Sequence, residues 1–159
     1  MNQCLDDISL SQLLRKNVFS IQTEMHNPQV IEQFGHLDEK EFIASIDLEL
    51  TCWENEEGPG NFSDEMEVIE IGIHLLRAED YSHVKDFQCF IRPTQKPELS
   101  DFCTKLTGIT QEDVDTAAPL IEVLPQLFEE LPPHKKLIFA SWGSDTPALE
   151  REYCLLYTS

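Results

Sequence analysis

Phe42-Ile43-Ala44-Ser45-Ile46-Asp47-Leu48-Glu49-Leu50-Thr51-Cys52-Trp53-Glu54 is the stretch that decides how this chain is read. It opens as an apolar, strand-like run and carries two carboxylates, Asp47 and Glu49, two residues apart. Side chains alternate along a strand, so those two point to one face and Ile46, Leu48 and Leu50 to the other. Like charges side by side on a central strand are destabilising unless something cationic bridges them. A divalent metal ion is the simplest such partner, because hard cations take carboxylate oxygens. The same pattern also fits an edge strand whose acidic face is only solvated. Spacing alone leaves both readings open.

Working outward, residues 1–40 read as a separate N-terminal extension. Leu5, Ile8, Leu10, Leu13 and Leu14 suggest a short helix there, and the pattern then fades into loosely ordered chain. After Trp53 comes an acidic loop in which Gly58-Pro59-Gly60 rules out strand. Residues 67–76 are rich in β-formers and read as a second strand. Residues 84–91 alternate as a third, with Phe87, Cys89 and Ile91 on one face and Pro93 as its stop. Three strands with short links make an antiparallel meander. The period then changes. Residues 97–106 are helix-like, with Gly108 as the stop. Thr110 N-caps a second short helix, and Leu120, Val123, Leu124, Leu127 and Phe128 stripe a third over 119–131. Residues 136–141 form a fourth strand, and a last helix starts at Asp145 with Pro147 in its first turn. The order β-β-β-α-β-α predicts an α/β domain with a mixed sheet flanked by helices.

A chain of 159 residues, 41% hydrophobic, can build one domain with a real core. No apolar run reaches membrane-span length, so no membrane partner is expected. The N-terminus lacks a signal-peptide pattern, and the five cysteines are scattered with no CxxC pair. The expected setting is reducing, cytoplasmic or otherwise intracellular. A net charge of −19 argues against a broad basic surface that holds nucleic acid. It leaves room for a protein that engages one strand end through metal ions in a small cleft.

Five stretches in order then resemble one family. They are Ile46-Asp47-Leu48-Glu49-Leu50-Thr51-Cys52-Trp53, Glu67-Val68-Ile69-Glu70-Ile71-Gly72, Phe90-Ile91-Arg92-Pro93, Leu106-Thr107-Gly108-Ile109-Thr110-Gln111-Glu112-Asp113-Val114, and Ser141-Trp142-Gly143-Ser144-Asp145 with Leu149 four residues on. Together they resemble the DEDDh 3′–5′ exonucleases of the ribonuclease H-like superfamily, in the KapD-like and histone-mRNA 3′-exonuclease branch, over 41–153. The resemblance implies a ribonuclease H-like mixed sheet and hydrolysis at the 3′ end of single-stranded RNA or DNA. It implies that Asp47, Glu49 and Asp145 are catalytic and ligate two divalent ions, Mg²⁺ or Mn²⁺. Leu50, Thr51 and Trp53 would border the terminal nucleotide through backbone and aromatic contacts. Leu106, Thr107 and Ile109 would wedge and stack its base. Against this, Leu106 and Ile109 also fit plain core positions, and Asp145 fits a plain N-cap.

The family further needs a His general base and another Asp after the next strand. No His follows His134 here, so inactivity of the polypeptide as given is expected. Cys154-Leu155-Leu156-Tyr157-Thr158-Ser159 matches one reading frame of a transposase adaptor used in library preparation, so a non-native tail is expected over 154–159, the alternative being a natural hydrophobic tail. The rival to an enzyme is a non-catalytic nucleic-acid- or protein-binding module on a degenerate exonuclease fold.

Overall fold

A computed structural model describes residues 18–20, 41–54, 66–133, 136–141, 145, 148–149 and 151–152. The expected helix over Leu5 to Leu14, the acidic loop over 55–65, Trp142-Gly143-Ser144 and the tail 154–159 lie outside the described residues. Five strands make one sheet: β1 (Val18–Ser20), β2 (Phe42–Leu50), β3 (Val68–Arg77), β4 (His83–Phe90) and β5 (Leu137–Ser141). Their spatial order is β1-β5-β2-β3-β4. β2, β3 and β4 are the antiparallel meander read from the sequence. β5 returns after the helices to lie parallel to β2, as a parallel neighbour joined by a long crossover must. One strand was not anticipated. Val18, Phe19 and Ser20 pair in parallel with Phe139, Ala140 and Ser141, so the N-terminal stretch supplies an edge strand beyond β5.

Three helices connect β4 to β5: α1 (Asp101–Thr107), α2 (Gln111–Asp115) and α3 (Leu120–Glu130). α1 begins at Asp101, later than the apolar spacing suggests, because Ser100 caps it. The Ser100 hydroxyl accepts from the Cys103 N–H at 3.0 Å. Gly108 ends the helix at φ 79°, and its N–H donates to the Thr104 carbonyl. Thr110 and Asp113 close a capping box on α2, each side chain bonded to the other's backbone N–H. Pro125 lies inside α3, on its exposed side.

Core formation explains the layering. Ala44, Ile46, Leu48 and Leu50 of β2 join Ile71, Ile73 and Leu75 of β3 and Leu137 and Phe139 of β5 on one sheet face. Leu120, Leu124 and Leu127 of α3, with Ala148 and Leu149 of the C-terminal helical residues, cover that face. Phe128 meets Phe139 edge-on, with ring centroids 5.9 Å apart. A smaller cluster of Cys52, Ile69, Cys103, Ile109 and Val114 seats α1 and α2 at the end of the sheet. The β2–β3 ladder slips between Glu49 and Leu50, so Leu50 faces Val68, and Val68 and Ile69 are both buried.

Candidate active site

Alternation along β2 comes out as its sequence requires. Ile46, Leu48 and Leu50 are buried, Asp47 is exposed and Glu49 is half-buried on the opposite face. Register then decides the neighbours. Asp47 lies opposite Gly72, and Glu49 lies opposite Glu70. With no side chain on Gly72, the space beside Asp47 stays open. Glu70 is a third carboxylate on this face, held by a hydrogen bond from the Gln88 amide. It lay within the matching second-strand stretch, but its place beside Glu49 depends on a register that the sequence does not show. Asp47, Glu49, Glu70 and Gly72 line one cleft of about 320 Å³ over the sheet.

Asp145, four residues beyond the end of β5, lies within the electrostatic reach of Asp47 and Glu49. The Leu48 backbone N–H hydrogen-bonds its carboxylate. Burial, then the Asp47 charge, pushes the Asp145 carboxyl up to about 6. Glu49 is also raised, by burial first and then by Asp47, Glu70 and Asp145. These carboxylates therefore repel one another in a partly desolvated setting. An all-oxygen, surplus-negative donor set fits a hard divalent ion, whose charge would relieve that repulsion.

The nucleotide-bordering residues divide. Trp53 is partly exposed, with the Lys96 ammonium 4.5 Å from its ring centroid. Leu50 and Thr51 point inward at 8% and 2% exposure, and the Thr51 hydroxyl accepts from the Glu67 N–H at 2.9 Å. Their backbone is engaged as well: the Thr51 N–H donates to the Glu67 carbonyl at 2.8 Å, and the Leu50 carbonyl accepts from the Cys103 thiol at 3.6 Å. Leu106 stands out at 65% exposure, as a side chain meant to meet a base would. Thr107 donates its hydroxyl to the Cys103 carbonyl and accepts from the Ile109 N–H, which sets the turn after α1. Ile109 is the correction: at 3% exposure it belongs to the small core under α1 and α2, and cannot stack on a base. Gly108 turns the chain left-handed between Thr107 and Ile109, so Leu106 is left outside while Ile109 is folded in.

Two buried carboxylates escaped the sequence reading. Glu67 accepts from the backbone N–H groups of Thr94, Gln95 and Lys96. It thereby ties the turn that carries Lys96 to the strand end that carries Thr51. Glu152 accepts from the Val68 N–H at 2.7 Å, and burial pushes its carboxyl up to about 7. Arg151 donates to the Met66 carbonyl at 2.6 Å. Glu67 opens the second matching stretch, but the burial of neither Glu has a sequence signal, because what buries each is a partner far away in the chain.

A family profile described as exonuclease, RNase_T, matches residues 44–142. The chain belongs to the RNase_T exonuclease family. This exonuclease chain is 33% identical over 121 residues to ERI1 exoribonuclease 2 of Homo sapiens, covering 74% of the chain and 17% of that protein. It is 39% identical over 100 residues to 3'-5' exonuclease eri1 of Schizosaccharomyces pombe, covering 63% of the chain and 32% of that protein. Among solved structures, the nuclease domain of 3'hExo, a DEDDh family member bound to rAMP, superposes with a TM-score of 0.62 at 33% identity. That match covers 74% of this chain and 60% of the other. The exonuclease chain thus spans a third or less of these two curated relatives. Its mixed sheet and helices are those of a ribonuclease H-like DEDDh nuclease.

Proposed function

We propose that the protein is a metal-dependent 3′–5′ exonuclease that hydrolyses phosphodiester bonds at the 3′ end of single-stranded RNA. The observation that carries this is Asp47 and Glu49 on the open face of a central strand, with Asp145 brought from β5 into the same electrostatic field. RNA is preferred over DNA because one similar protein is named an exoribonuclease and another, of known structure, is bound to rAMP. Asp47, Glu49 and Asp145 would hold two ions, Mg²⁺ or Mn²⁺. When bound, such ions supply water activation and charge stabilisation at the leaving oxygen. The chain's own residues do the positioning. The Leu48 N–H fixes Asp145, and the empty side of Gly72 keeps the approach to Asp47 clear. The partly exposed Trp53 ring offers an aromatic face on which a terminal base stacks, at about 1–3 kcal/mol, and the exposed Leu106 adds apolar contact.

The general base is a separate matter. A His general base contributes about 10²–10⁴-fold to such a reaction, and no His occurs in residues 135–159. The test is stepwise shortening of a 5′-labelled RNA from its 3′ end by the completed protein with Mg²⁺, repeated with Asp47→Ala and Glu49→Ala. Undiminished activity in both variants would refute the assignment.

A further inference from the structure

A second constellation occupies the β3–β4 hairpin and has no part in the reading above. His74 of β3 lies directly opposite Asp86 of β4. Plain alternation back from Asp86 would put Val84, not His83, on the same face. The ladder slips between Leu75 and Leu76, however, so that Leu76 pairs with His83 and Val84 becomes the extra residue. That bulge turns His83 onto the face of His74 and Asp86. Both imidazoles then meet one carboxylate oxygen. His74 Nδ1 is 2.6 Å and His83 Nε2 is 2.8 Å from Asp86 Oδ1. The three donor atoms all lie within 4.8 Å of one another, and among the described residues this is the one such group of three. The adjacent Lys85 is turned away, with its ammonium over the Phe87 ring at 4.3 Å and bonded to Glu130 at 2.8 Å.

We propose that His74 Nδ1, His83 Nε2 and Asp86 form a binding site for a borderline transition-metal cation, Zn²⁺ in the first instance. Two imidazoles and one carboxylate select such ions and not Mg²⁺ or Mn²⁺, which prefer all-oxygen sets. The site is therefore chemically distinct from the Asp47 and Glu49 carboxylates. Zn–N and Zn–O bonds of ~2.0–2.1 Å in a tetrahedron set ligand atoms roughly 3.3 Å apart, so the contacts of 2.6 and 2.8 Å need to open by about 0.5–0.7 Å. Side-chain exposures of 70%, 58% and 56% leave all three free to do that. The hydrogen bonds from His83 and then His74 hold the Asp86 carboxyl below its ordinary range, so it is an anion when the metal arrives. Binding needs each ring proton on the nitrogen that does not face Asp86, His74 Nε2 and His83 Nδ1, and leaves a coordination position open to solvent. His74 and Asp86 also line the cleft that holds Asp47 and Glu49, so a cation there changes the charge at the rim of that cleft. The site itself does not depend on the nuclease reading.

The test is a calorimetric Zn²⁺ titration of the full, reduced chain in excess Mg²⁺, which occupies the oxygen-only face. One Zn²⁺ per chain is expected, weakened at least about tenfold by His74→Ala and by His83→Ala. His83→Asn preserves a hydrogen-bond donor toward Asp86 without the imidazole, and should lose Zn²⁺ as fully as His83→Ala while keeping the fold's circular dichroism. Histidine ¹⁵N spectra should show metal at Nδ1 of His74 and Nε2 of His83. Asp47→Asn should keep the stoichiometry of one Zn²⁺ per chain. The proposal is overturned if the His74→Ala/His83→Ala double variant binds Zn²⁺ like the parent, if Co²⁺ substitution gives a thiolate charge-transfer band, or if the parent's heat matches that of the double variant.

Discussion

Asp47 and Glu49 carry a charge that the fold by itself opposes. Glu49 is raised by burial and by three neighbouring carboxylates, so neutralising a member of the group removes repulsion. Asp47→Asn and Glu49→Gln are each expected to raise the melting temperature of the metal-free protein, with a gain of about 0.2–1 kcal/mol. The same changes should lower nuclease turnover by ~10²–10³ in the completed protein, since charge stabilisation at the leaving oxygen is lost. Paired thermal melts and mononucleotide-release assays check both signs at once. Glu152 behaves differently, because its burial serves the fold. Its carboxyl goes from an ordinary 4.5 to about 7 in the folded state. A raised folded value means stability that is fully present below about pH 4.5 and lost as pH rises through about 7. Glu152→Gln keeps an acceptor for the Val68 N–H and avoids the buried charge. It is expected to exceed the parent's stability at about pH 8 by on the order of 3 kcal/mol, with the difference gone near pH 4, as read by urea unfolding at both pH values. Cys52, pushed up to about 12 by burial and then by Cys103, is a packed thiol and not a nucleophile.

At the level of elements, α1 connects packing to the site. Ser100 both caps the helix and donates its hydroxyl to the Cys52 carbonyl at 2.6 Å, which fixes the chain leaving β2 just before Trp53. Ser100→Ala is expected to cost about 1 kcal/mol, from loss of the cap. Gly108 needs its left-handed φ of 79°, yet a Cβ there would meet nothing within 4 Å. Gly108→Ala should therefore cost about 1–2 kcal/mol through backbone strain alone. Denaturant midpoints of the two variants measure these losses. How much of this was legible follows from what each element rests on. β2, β3 and β4 announced themselves by period and turn residues, and α2 by Thr110 and Asp113. The start of α1 was misplaced because Leu99 continues the apolar spacing, while the Ser100 cap fixes the true end. β1 carried no strand pattern, since three residues are too few for a period and the pairing comes from β5.

The whole molecule is a polyanion, with a net charge of −19, that is proposed to act on another polyanion. Counterion release from phosphate contacts normally makes binding fall steeply with salt, with a slope near −0.9 per contact on duplex and about −0.7 on single strands. Here few lysines or arginines stand among the described residues around the cleft, whose lining is Asp47, Glu49, Glu70, Gly72, Ile73, His74, Asp86, Phe87 and Gln88. RNA binding in excess Mg²⁺ is therefore expected to vary little with monovalent salt. Fluorescence anisotropy of a labelled single strand between low and physiological ionic strength checks this, and a steep fall would point to a basic surface that carries the binding instead.

By itself the sequence determined what depends on local period and composition. The α/β order, the buried and open faces of β2, and the pairing of Asp47 with Glu49 on one face follow from alternation, which any strand imposes. The five stretches also carried the family. Only the tertiary structure decided what depends on register and on distant partners. Glu70 came to lie beside Glu49, Ile109 went into the core while Leu106 stayed out, and Glu67 and Glu152 were buried. The bulge at Val84 turned His83 toward His74 and Asp86. A one-residue slip exchanges the faces of a strand, and no single-strand pattern reports where its neighbour slips. Asp47 and Glu49 were therefore visible as a pair from the start, whereas the field around them belongs to the folded sheet.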